Sequence, residues 1–149
     1  MFGDDRLVLG RFKERLYLAP ASFFALDEIE LSLVSNGCGS SGALGKVVPD
    51  TAWGQDISGP CHIHDFMYMG CAGKLDEIIS DCVLAFNLVL EVIQQGSGKI
   101  VTFLRMMRVC KYIVAVSTTV YSKEYWEENR KLVKVSRYAE ASFQRGSLK

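Results

Sequence analysis

The tightest constraint on this chain is the four-residue link Cys71-Ala72-Gly73-Lys74 between two helical patterns. The first pattern is short: Pro60-Cys61-His62-Ile63-His64-Asp65-Phe66-Met67-Tyr68. Pro60 suits the first position of a helix, and Gly70 suits the residue just past its end. The second pattern runs over residues 75–95. Asp76 and Glu77 fall in its first turn, where carboxylates complement the helix dipole, and Gly96 follows Gln95 at its end. So short a link makes the two helices antiparallel neighbours. Leu75, Ile78, Ile79, Cys82, Val83, Phe86, Val89, Leu90 and Ile93 cover most of the second helix's circumference. That pattern predicts a central helix buried on nearly every side.

This hairpin of helices carries chemistry. His64 and Tyr68, four residues apart, share one face of the first helix, and Cys61 and Asp65 share another. Asp65 lies about 100° round the axis from His64. His64 stands eight or nine residues before the middle of the link and Asp81 eight or nine after it, so the two side chains meet at similar height. Ester hydrolysis at neutral pH needs an activated water, an oriented base and stabilisation of the developing oxyanion. An imidazole, with an ordinary pKa of about 6.5, can take the proton from water, and a carboxylate can fix its tautomer. The expected network is a buried Asp81 accepting hydrogen bonds from His64 and from Tyr68. Two rival readings stand beside it. Asp81 and Glu77, four residues apart, could share a solvated stripe. His62, His64 and nearby cysteines could hold zinc, but on a helix residues two apart point about 200° away from each other, and no Cys-x-x-Cys pair is present.

Cys61-His62-Ile63-His64-Asp65-Phe66-Met67-Tyr68 resembles the active-site helix of the secreted phospholipase A2 superfamily, whose core is Cys-x-x-His-Asp-x-x-Tyr. Asn36-Gly37-Cys38-Gly39-Ser40-Ser41-Gly42 resembles its calcium loop, and Asp81 resembles its second-helix Asp. The likeness covers roughly residues 36–90 and is closer to the bacterial and viral branches than to the cysteine-rich animal enzymes. Pro60 stands where animal enzymes have the first Cys of a pair, Met67 replaces another cysteine, and Asn36 stands where they have Tyr. The segment between Gly42 and Gly59 is longer than in compact members.

The resemblance implies a mostly α-helical, phospholipase A2-like fold, with two antiparallel core helices carrying the site and a glycine-rich calcium loop. It implies a hydrolase acting in lipid degradation: calcium-dependent hydrolysis of the sn-2 ester of glycerophospholipids at a membrane surface. His64 would be the base, with Asp81 and Tyr68 completing the catalytic set. Asp65 would ligate Ca2+ with oxygens from Asn36, Gly37 and Gly39, in keeping with calcium's preference for carboxylates and backbone carbonyls. Backbone N–H groups of Gly39 or Ser40 would line the oxyanion site. A disulfide between Cys38 and Cys61 would tie the loop to the helix. The alternative is a non-catalytic module of the same fold that docks on membranes or on a protein partner.

The remaining sequence sets bounds. The chain has 149 residues, 49% of them hydrophobic, and a mean hydropathy of +0.13, which suits one domain over 1–149 with a real core. Formal net charge is zero, so nothing points to nucleic acid. Five cysteines are too few for a disulfide scaffold, and the odd number leaves at least one thiol unpaired in a monomer. The N-terminus lacks a basic region leading into an apolar core, so no signal peptide is expected there; the resemblance alone points to export. No membrane span is expected, because charged residues interrupt the apolar stretches.

Residues 6–18 read equally as a hairpin or an irregular helix. Residues 20–29 have helical spacing, with Phe23, Leu26 and Ile29 on one side, either in the core or facing an acyl chain. Residues 35–59, with six glycines and four serines, read as a long functional loop containing Trp53. A third helix spans about 98–121 with Arg105, Arg108 and Lys111 on its outer face, and a charged fourth helix is expected over 122–135.

Overall fold

In a computed structural model of the chain, the described residues are 5–35, 51–52, 54–71 and 73–118. They belong to the first of the two units into which the chain divides, Met1–Thr118; the second, Thr119–Lys149, lies outside them, and with it the helix expected over 122–135. The described fold is mostly helical. In chain order it comprises strands β1 (Leu7–Phe12) and β2 (Arg15–Pro20), a 3₁₀ turn (Ala21–Ala25), α1 (Glu28–Val34), the short strands β3 (Thr51–Ala52) and β4 (Gln55–Asp56), α2 (Ser58–Gly70), α3 (Lys74–Gln95) and α4 (Lys99–Thr118).

Residues 6–18 resolve as a hairpin. Phe12 pairs with Arg15, leaving Lys13 and Glu14 as a two-residue turn with φ of 48° and 67°. Positive φ at both positions is the habit of turns that match strand twist. The helix expected over 20–29 divides in two. Leu26 and Asp27 are extended, and Asp27 caps α1 by accepting from the Glu30 N–H while the Glu30 side chain accepts from the Asp27 N–H. Such a reciprocal box starts a new helix rather than continuing an old one. Phe23 is buried, whereas Ile29 is exposed and takes no part in the core.

Two apolar clusters hold the fold, and α2 and α3 contribute to both. Ile63, Met67 and Val83 pack with Tyr17, Ala19 and Phe23 beneath the hairpin. Ile57, Cys61, Leu84, Leu88 and Val92 pack with Val109 of α4. α2 begins at Ser58, two residues before Pro60, and includes Gly70. The early start depends on Gly59: a Cβ there would lie 2.5 Å from the hydroxyl of Tyr17, which is buried and bonded to Glu91. Gly59→Ala should therefore cost about 1–3 kcal/mol through overpacking, read as a lower urea midpoint at unchanged slope.

α3 is not apolar all round. Leu75, Ile78, Phe86 and Ile93 are exposed, and its buried face includes Asp76, Glu77, Ser80, Asn87 and Glu91. The hairpin edge explains Asn87 and Glu91. An unpaired strand edge presents backbone donors and acceptors that must be satisfied when covered. The Asn87 amide accepts from the Leu18 N–H and donates to the Leu18 carbonyl, both at 2.8 Å, and Gln94 does the same for Leu16 at 2.8 Å. Between them the Glu91 carboxylate, 1% exposed, accepts from Arg15 and Tyr17. A buried carboxylate is tolerated only when paired and hydrogen-bonded in this way. Burial, followed by the Glu91 hydrogen bond and charge, raises the Tyr17 hydroxyl far above the ordinary phenol range, so it remains a donor.

On α4, Arg108 and Lys111 are exposed as expected, but Arg105 is half-buried, with no hydrogen-bond partner for Nε and Nη1 among the described residues. Ile100, Phe103 and Met107 face outward instead. Among the described residues no helix is long and apolar enough to cross a membrane.

Candidate functional site

The site grows from the α2–α3 hairpin. Cys71 ends α2 with its N–H on the Tyr68 carbonyl, and the Gly73 carbonyl accepts from Asp76 and Glu77 at the start of α3. The turn is thus closed at both ends within three residues, and the helices run back to back. His64 Nε2 lies 3.0 Å from Asp81 Oδ1, and the Tyr68 hydroxyl donates to the same oxygen at 3.0 Å. The rings of His64 and Tyr68 stack obliquely, 4.3 Å between centroids at 48°. Counting equal distances out from the link therefore locates the partners.

Burial differs from the expectation for Asp81. Its side chain is 22% exposed and that of His64 13%, so the pair is sheltered but open to water. A rim position on α3, beside the exposed Ile78 and Cys82, accounts for it. The solvated stripe with Glu77 does not form: Glu77 is buried and pairs with Lys74 at 2.7 Å. The Tyr68 hydroxyl is pushed far above the phenol range, first by burial and then by the charge and hydrogen bond of Asp81. It stays protonated and can only donate to the carboxylate. Tyr68→Phe should lower stability by about 1 kcal/mol, measured by denaturant unfolding, since His64 still holds Asp81.

The other face of α2 carries Asp65 and His62. Asp65 Oδ2 accepts from the Ser35 hydroxyl at 2.9 Å, and Ser35 Oγ lies 2.7 Å from His62 Nδ1. The two imidazoles thus engage different partners on different elements, as helical geometry requires. Sequence reasoning missed Ser35. It closes α1 as the C-cap residue, and nothing in its neighbours signals a partner on α2.

Asn36, Gly37, Cys38, Gly39 and Ser40, the expected loop ligands, oxyanion donors and cysteine partner, lie outside the described residues, as does Trp53. Cys61 is disulfide-bonded, and Cys71, Cys82 and Cys110 are free. Burial pushes the Cys71 thiol up to about 11, with a Ser80 hydrogen bond opposing. In native protein at about pH 8, iodoacetamide should therefore label exposed Cys82 and Cys110 and spare Cys71, as peptide mapping would show.

Asp65 suits a hard cation: it is a half-buried carboxylate one residue from His64. Among the described residues no group of three or more His, Cys, Asp or Glu could hold a metal. A calcium site here would need further oxygens from backbone or from beyond these residues.

A paired imidazole and carboxylate can serve general-base chemistry, and a second carboxylate, Asp65, stands on the adjoining face of α2. Compared with known proteins, the chain matches no family model, no curated protein and no solved structure.

Proposed function

We propose that the protein is a phospholipase A2-like esterase: a calcium-dependent hydrolase of the sn-2 ester of glycerophospholipids at a membrane surface. The observation that carries this reading is the convergence of His64 and Tyr68 on one oxygen of Asp81 across an antiparallel helix pair. The residues carry the ester chemistry. The lipid substrate and the sn-2 position rest on the resemblance of residues 36–90 to the superfamily.

An ionised carboxylate only accepts, so His64 Nε2 carries the proton shared with Asp81 and Nδ1 holds the lone pair. Nδ1 removes a proton from water as the water oxygen bonds to the ester carbonyl carbon. Asp81 stabilises the imidazolium so formed. When the carbonyl re-forms and the C–O bond to glycerol breaks, the same proton passes from Nδ1 to the leaving oxygen, giving fatty acid and lysophospholipid. Asp65, with loop oxygens of Asn36, Gly37 and Gly39, would hold Ca2+, which when bound polarises the ester carbonyl. Backbone N–H groups of Gly39 or Ser40 would assist as oxyanion donors. The non-catalytic docking module remains the competing reading.

Fatty acid release from mixed phospholipid vesicles, assayed with calcium and with excess EGTA, tests the proposal. The expected result is release with calcium and none with EGTA. Equal release in both would remove calcium from the reaction, and vesicle binding without release would favour the docking module.

A further inference from the structure

We propose that Ser35 and His62 are positioning residues that set the carboxylate of Asp65 through a one-way hydrogen-bond chain. The inference rests on the reading of Asp65 as a calcium ligand, and extends it to two residues that the resemblance leaves without a role.

Donor and acceptor chemistry fixes the direction of the chain. Asp65 is an acceptor when ionised, so the single hydroxyl proton of Ser35 points to Oδ2, 2.9 Å away. Ser35 Oγ then offers only lone pairs to His62 Nδ1 at 2.7 Å. His62 must donate, and its proton sits on Nδ1. The chain reads His62 Nδ1–H to Ser35 Oγ–H to Asp65 Oδ2. His64 carries its proton on the other nitrogen, because Nε2 faces Asp81. Two histidines separated by one residue are thereby held in opposite tautomers.

The supports on either side are structural. Ser35 is tied to the end of α1, its N–H on the Leu31 carbonyl at 3.0 Å, and Leu31 packs in the apolar cluster with α2. The Phe12 ring meets His62 edge to face, 6.1 Å between centroids at 83°, which limits rotation of the imidazole. His62 and Asp65 are three residues apart on α2, so Ser35 bridges one helical turn from outside. The Asp65 carboxylate is thus set by two elements, α1 and α2. Partners that orient a ligating carboxylate in this way are typically worth about 10- to 100-fold in metal affinity.

Long-range proton–nitrogen correlation of the ion-free, full-length protein at about pH 8.5, above the ordinary imidazole range, tests the chain. The sequence has two histidines, and His62→Gln assigns them. The expected spectrum shows His62 protonated at Nδ1 and His64 at Nε2. Ser35→Ala should shift His62 towards the Nε2–H form and leave His64 unchanged. Calorimetric calcium titration should then show affinity about 10- to 100-fold lower in Ser35→Ala and restored in Ser35→Thr, which keeps the hydroxyl. A wild-type His62 protonated at Nε2 overturns the chain whatever the calcium result. Wild-type calcium affinity in Ser35→Ala overturns the positioning role. Tautomers as expected in a protein that binds no calcium overturn the proposal through its ligand assignment, and place the failure in the functional reading.

Discussion

Replacing His64 with Gln should lower turnover on phospholipid by about two to four orders of magnitude, the usual contribution of a general base. The base is lost because an amide has no nitrogen lone pair able to take a proton at neutral pH. The fold should hold. Gln is polar, of similar size, and can donate to Asp81 from a position that is 13% exposed. Steady-state kinetics on folded, purified protein decide the matter, with circular dichroism as the control. Wild-type turnover in His64→Gln would end the mechanism, whatever lipid is used.

Asp81 should separate charge from geometry, because both of its donors meet on the same oxygen. Asp81→Asn can keep an oxygen at that point, so the Nε2–H tautomer of His64 and the Tyr68 bond can survive while the charge is lost. Turnover should fall about 10- to 100-fold, for want of a negative partner to the imidazolium. Asp81→Ala removes the oxygen as well. His64 then loses its orientation and Tyr68 its acceptor, so turnover should fall about 100- to 10,000-fold. Stability should fall with it by about 1–3 kcal/mol. Equal losses in the two variants would show that charge, not hydrogen bonding, is what Asp81 supplies. No loss in either would detach the pairing from the reaction.

The helix pair was legible because its information is local. A three-to-four-residue link, helical spacing on both sides and equal counts to His64 and Asp81 are all contained in residues 60–95. What escaped was long-range or conformational. Asn87, Glu91 and Gln94 stand among apolar residues with no local signal of a role, and their partners on β2 are 69–78 residues away. Those contacts bury Asn87 and Glu91, while Gln94 stays exposed at the rim. The apolar residues that seemed to demand burial, Leu75, Ile78 and Ile93, face outward. The first hairpin was ambiguous because its turn is Lys13-Glu14, with none of the Asn-Gly chemistry that announces positive φ. The break before α1 did carry a signal: Asp27 with Glu30 three residues on is a capping pair. The Ser35–His62–Asp65 chain carried none, since it depends on where the end of α1 meets α2.

In the proposed reaction, water activated by His64 cleaves an acyl ester of a phospholipid. The most direct measurement is hydrolysis of a phospholipid with different acyl chains at its two positions, in ¹⁸O-water, followed by mass spectrometry of both products. Fatty acid from the sn-2 position should carry the label in its carboxylate, lysophospholipid should be unlabelled, and both products should fall by about two to four orders of magnitude in the His64→Gln control. Products formed equally by His64→Gln, or label in the lysophospholipid hydroxyl, would contradict this reaction.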